Sequence, residues 1–192
     1  LPLNEKKYWV ALSHCEHFIA PLWKQALAVF PSAEAIWHAS QRDLETAGIP
    51  QGCAAALVAL RGILDPDAAY EDVGRHGIDV VTLHDTAYPK LLKEVFDPPH
   101  VLFVRGTLLP EEPVSALGVV GTRKISSYAA DVLPPIVQGV VRAGVTITSG
   151  LALGVDALAH TVTLNAGGRT IAVIACGVDD ATIYPRIHRK LA

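Results

Sequence analysis

The chain has 192 residues, 51 % of them hydrophobic and 18 % charged, with a formal net charge of −3. That length and apolar content suit one sizeable core or two small domains and argue against a disordered chain. Gly, Pro, Arg or Asp interrupts each apolar run well short of the ~20 residues that span a bilayer, so no membrane segment is expected.

The first residues, LPLNEKKYWVALSHCEHF, lack the basic, apolar and small-residue order of a signal peptide, and a cytoplasmic location is expected. Three cysteines, Cys15, Cys53 and Cys176, form no C-x-x-C pair, and an odd count fits reduced thiols better than a disulfide framework. Apolar positions recur at three- and four-residue steps through Leu12, Ile19, Leu22, Leu27 and Phe30, then through Ala54, Leu57, Val58 and Leu60. This spacing predicts short helices punctuated at Pro31, Gly48-Ile49-Pro50 and Pro66. A small helical domain over residues 1–73 is therefore expected. Within it His14-Cys15-Glu16-His17 carries ligand-type side chains, but without metal-site spacing or a second ligand pair. A helix end with incidental histidines is expected there, and no metal.

After Gly77 the pattern changes to the β-branched runs IDVVTL (78–83) and VLFVR (101–105), which places the domain boundary near residues 65–77 and the second domain at 74–192. From Ser115 onward the order is strand (ALGVV), helix (about 126–143), strand (VTIT), helix (about 155–166), strand (TIAVIA) and the start of a helix near Pro185. Nearly continuous apolar strands alternating with helices define an α/β fold with a parallel sheet. Pro134 and Pro135 require the first of these helices to begin, kink or break at that point. A three-stranded half-sheet would leave an apolar edge bare. Further sequence of the same protein, or another chain, is expected to cover it.

Two of the strands end in glycine-bearing turns that open helices, and a parallel sheet puts both turns on one edge. In the first, Gly121 and Thr122 precede Arg123 and Lys124, and Ser126 or Ser127 is placed to cap the helix. Gly121 lets the backbone approach a phosphate, while Arg123 can grip an oxygen pair bidentately. In the second, Ser149, Gly150, Leu151, Ala152 and Gly154 alternate small residues in the manner of an amide concavity that holds an anion. Residues 1–114 carry 9 basic and 15 acidic side chains, whereas residues 115–192 carry 7 and 4. The positive excess thus accompanies the glycine turns, and an anionic ligand is expected there.

Other roles compete at the same positions. Asp156 and His160 lie four apart on one helical face, but an Asp in a first helical turn is more often a cap than an acid/base catalyst. Ser149 lacks the G-x-S-x-G elbow of a nucleophile. Cys176-Gly177 marks close packing, and Tyr184-Pro185 either restrains its turn or offers an aromatic face to a base.

Taken together, GVVGTRKISSY, TSGLALGVDALAH, TIAVIACGVDDATIYP and the upstream YPKLLKEVFDPPHVLFVRG resemble the DNA-processing protein A family (DprA, also called Smf), over about residues 76–191. The resemblance implies an extended Rossmann-like domain, incomplete in this chain, preceded by a small helical domain like a sterile-alpha-motif or helix-hairpin-helix module. It implies binding of single-stranded DNA, protection of incoming DNA and loading of a RecA-type recombinase in natural transformation. A homodimer formed through sequence beyond this chain is also implied. Gly121, Arg123 and Ser126 would form one phosphate site, and Ser149, Gly150, Ala152 and Gly154 a second, with no catalytic residue and no cofactor. With 5 basic against 9 acidic residues in positions 1–73, the helical domain is expected to serve protein contact or support rather than DNA. The competing class is a nucleotide-processing enzyme resembling the lysine-decarboxylase-like phosphoribohydrolases, whose P-G-G-x-G-T-x-x-E signature is absent from these residues.

Overall fold

The structure is a computed structural model that describes residues 3–109 and 115–192. It divides into two compact units, Leu1–Thr107 and Leu108–Ala192.

In the first unit, helices α1 (Leu3–Ser13), α2 (Ala20–Val29), α3 (Ala33–His38), α4 (Gln41–Thr46), α5 (Gln51–Leu60) and α6 (Pro66–Arg75) follow one another closely. Their starts are set by local chemistry. Ser32 accepts the Ala35 N–H, Ser40 and Asp43 form a reciprocal capping box, and Asp65 caps α6 ahead of Pro66, each satisfying amides that a helix end leaves orphaned. The helices bury Trp9, Leu12, Trp23, Ile36, Trp37, Leu44 and Leu57 in one core, with the Trp9 and Trp23 rings stacked at 5.0 Å. Arg61 donates to the Ile36 and Ala39 carbonyls and so closes the C-terminal end of α3. The His14–His17 cluster begins just past the end of α1, with Cys15 buried and its neighbours exposed.

Strand β1 (Ile78–Thr82), the single-turn helix α7 (Lys90–Lys93) and strand β2 (Val101–Arg105) complete this unit. β1 and β2 pair antiparallel from Ile78↔Arg105 to Thr82↔Val101. Lys6 on α1 donates to the Val80 carbonyl at 2.7 Å and pairs with Asp85 at 3.0 Å. Burial raises the Asp85 pKa, but hydrogen bonds from Thr82 and the Lys6 charge outweigh it and hold the carboxyl below its ordinary value. The change from helix to strand falls where the sequence places it. The compact units divide after Thr107, because this antiparallel pair packs on α1 and α6.

The second unit is built from β3 (Ala116–Gly118), α8 (Ser127–Arg142), β4 (Thr146–Ser149), α9 (Val155–Asn165) and β5 (Thr170–Ala172), ending in a 3-10 turn at Arg186–His188. The three strands are parallel in the order β3-β4-β5, registered Ala116↔Thr146 and Ile147↔Thr170. This is the Rossmann-like α/β arrangement expected. Helices α8 and α9 lie against each other and cover β4, burying Val137, Val141, Ile147, Ala159 and Val162. Helix α8 neither begins nor ends at Pro134 and Pro135, both of which it contains. Proline deprives the ladder of two N–H donors, but half-buried Leu133 on one side and buried Val137 and Val141 on the other anchor the helix across the gap. Among the described residues no helix is long and apolar enough to cross a membrane.

Candidate nucleic-acid interface

The two glycine turns meet at the C-terminal edge of β3 and β4 and interlock. Val119 donates to the Thr148 carbonyl at 2.9 Å, extending the β3–β4 ladder. The Ser149 hydroxyl donates back to the Val119 carbonyl at 2.6 Å. The Val155 N–H, at the start of α9, donates to the Thr122 carbonyl at 3.2 Å. Gly154 fits only as glycine: its φ is +84°, and a Cβ there would run into the Thr122 carbonyl oxygen and stand 2.7 Å from the Arg123 carbonyl carbon. Gly121 faces Val155 in the same way, since a Cβ would come within 2.7 Å of a Val155 methyl. The sequence signal of two adjacent glycine turns therefore corresponds to one joined structure.

The first turn is open. Thr122 is used within it, its hydroxyl accepting the Lys124 N–H at 3.1 Å and donating to the Lys124 carbonyl at 3.2 Å. Ser126 is the N-cap of α8, accepting the Ala129 N–H at 3.2 Å, and its hydroxyl proton remains available to donate outward. Among the described residues no protein acceptor takes the N–H of Gly121, Thr122 or Arg123. Arg123 and Lys124 are exposed and sit just ahead of the positive end of a 16-residue helix, whose dipole adds to their charge. Backbone donors, two exposed cations and a helix N-terminus thus follow one another between Gly121 and Ser127, a combination suited to an oxyanion.

In the second turn, the other expected anion site, two of the amides are taken internally. The carboxylate of Asp156, a residue only 6 % exposed, accepts the N–H of Gly150 at 3.2 Å and of Ala152 at 3.4 Å. The N–H groups of Leu151, Leu153 and Gly154 meet no protein acceptor among the described residues. Ser149 is occupied by Val119, and Gly154 by its packing on the first turn. Leu151 is buried with φ +57°, and its carbonyl accepts from His188 Nδ1 at 2.7 Å. Of these residues, Ser149 and Gly154 touch the first turn directly.

Asp156 and His160 are both buried. His160 is 1 % exposed, and its Nδ1 lies 2.6 Å from the Thr170 hydroxyl, which in turn donates to the Ile147 carbonyl at 2.8 Å. Because that hydroxyl proton is already given to Ile147, Nδ1 carries the ring proton and Nε2 is left without a partner. Burial drives the His160 pKa down, with the Asp156 charge pulling the other way. The pair is a packed internal element joining α9 to β4 and β5. Tyr184 is 69 % exposed beside buried Pro185, across a cis peptide bond, and Cys176 is half-buried.

A parallel α/β sheet with glycine turns at its strand ends places this unit in the class of Rossmann-like folds. The family model described as DNA recombination-mediator protein A matches residues 79–192, and the chain belongs to that family. Protein Smf of Synechocystis is 34 % identical over 98 % of this chain, and DNA processing protein DprA of Bacillus subtilis is 38 % identical over 65 % of it. The X-ray structure of DNA processing protein A from Streptococcus pneumoniae superposes with a TM-score of 0.73 over 96 % of this chain and 62 % of that one, at 25 % identity. The chain spans 48 % of the Synechocystis protein and 40 % of the Bacillus one, about half or less of each.

Proposed function

We propose that this chain is the part of a recombination mediator that holds single-stranded DNA by its phosphates at the Gly121–Ser126 turn. The observation that carries the proposal is the first turn itself, where the N–H groups of Gly121, Thr122 and Arg123 meet no protein acceptor among the described residues and stand beside the exposed Arg123 and Lys124. A phosphodiester oxygen would receive the amides of the first turn, the Arg123 guanidinium and the Ser126 hydroxyl. Phosphates carry no sequence, so base identity matters little to this grip. Family membership supports the further parts of the reading: protection of incoming DNA, delivery to a RecA-type recombinase, action as a homodimer, and binding without catalysis.

Fluorescence anisotropy with oligothymidine tests the site. A charge-assisted hydrogen bond contributes about 1.5–3 kcal/mol, so Arg123→Ala is expected to weaken binding roughly tenfold or more. Undiminished affinity would remove Arg123 from the site.

A further inference from the structure

Beside the first turn lies a cleft of about 200 Å³ lined by Tyr128, Ala129, Val132, Leu133, Ile136 and Val155. Tyr128, Val132 and Ile136 follow one another at four-residue steps, which stacks them along one face of α8. Tyr128 is 74 % exposed and Ile136 54 % exposed, although they border an apolar recess. No charged side chain lines it.

The position of this cleft identifies what fits it. Val155 forms one wall, and the same side chain is the surface on which Gly121 rests. Tyr128 is the second residue of α8, two past the cap Ser126. The open amides, Arg123 and Lys124 therefore lie within one helical turn of an exposed phenol ring and an apolar recess. A ligand matching both must alternate anionic groups with flat, weakly polar ones at short spacing. A polypeptide segment of the same protein would match the recess but has no use for the cations, and a free phosphate would use the cations but not the recess. A single-stranded polynucleotide uses both. The recess is smaller than the roughly 300–1,000 Å³ of pockets for drug-sized ligands, in keeping with one base and no more.

We infer that the Tyr128–Val155 cleft seats one nucleobase of the strand, stacked on Tyr128, next to the phosphate held at the Gly121–Arg123 turn; this rests on the phosphate-binding reading above. With no polar side chain apart from the phenol to read base edges, the seat accepts any base and adds affinity rather than sequence preference.

Two probes separate the inference from the reading beneath it: oligothymidine, and an abasic deoxyribose-phosphate oligomer of equal length. Tyr128→Ala is expected to weaken oligothymidine binding about tenfold and leave the abasic oligomer unchanged, while Tyr128→Phe keeps both. Arg123→Ala is expected to weaken both. If Arg123→Ala weakens both probes and Tyr128→Ala changes neither, the base seat is overturned and the phosphate site stands. Equal weakening of both probes by Tyr128→Ala overturns it too, since the ring would then only shape the turn. Selective loss with Tyr128→Ala alongside a silent Arg123→Ala would support the seat while removing Arg123 from the phosphate site.

Discussion

Gly154 meets two demands at once. Its φ of +84° with ψ of −123° lies in a region that residues with a Cβ hardly enter, and the space a Cβ would need belongs to the backbone of Thr122 and Arg123. Backbone cannot rotate away as a side chain can, so Gly154→Ala must either separate the two turns or strain them. A loss of about 2 kcal/mol or more is expected, read from the urea midpoint at unchanged m-value. Gly144 supplies the comparison: its φ is +76°, yet a Cβ there would meet nothing within 4 Å. Gly144→Ala should therefore cost only the intrinsic left-handed penalty of about 1–2 kcal/mol. Equal midpoints for the two variants would mean that the interlock of the turns contributes nothing to stability.

Among the elements, the strand–turn–helix order of the second unit was legible because helix and strand periods differ and because glycine and serine punctuate the junctions. A serine cap for α8 follows from the place of Ser126-Ser127 between a turn and an amphipathic run, and the structure selects Ser126. Two features were not legible. The prolines inside α8 signal a break locally, and only the apolar residues on either side keep the helix continuous. The direction of the Asp156 carboxylate was hidden as well: spacing places it in the first turn of α9, but not whether it points outward or back over Gly150 and Ala152. That choice decides whether the Gly150 and Ala152 amides are free or taken internally. Removing the carboxylate frees them. Asp156→Ala should destabilise the protein by about 1–3 kcal/mol, the cost of leaving amides without an acceptor. Inorganic phosphate should then raise the melting temperature of the variant more than that of the parent, because it binds the vacated amides only in the folded state. An equal rise in both would show that Asp156 was not the occupant that matters.

At the scale of the molecule, charge is divided along the chain, with an acidic excess of six over residues 1–114 and a basic excess of three over residues 115–192. The net charge of the first disfavours a polyanion and that of the second favours one, and Arg123 and Lys124 stand at the open turn of the second. Binding to a single strand releases counterions in proportion to the phosphates neutralised, with a slope of about −0.7 in log K against log salt for each. Two cations at one turn therefore predict a slope of about −1.4, shallow for a nucleic-acid binder, with Arg123→Ala halving it. The slope also tests whether the turn acts alone. A value several-fold steeper would enlist Arg186, Arg189 and Lys190 near the chain end, which lie in the segment that His188 ties to Leu151 behind the turns. A slope near zero would remove both cations from the site, since counterions are released where Lys or Arg neutralises a phosphate.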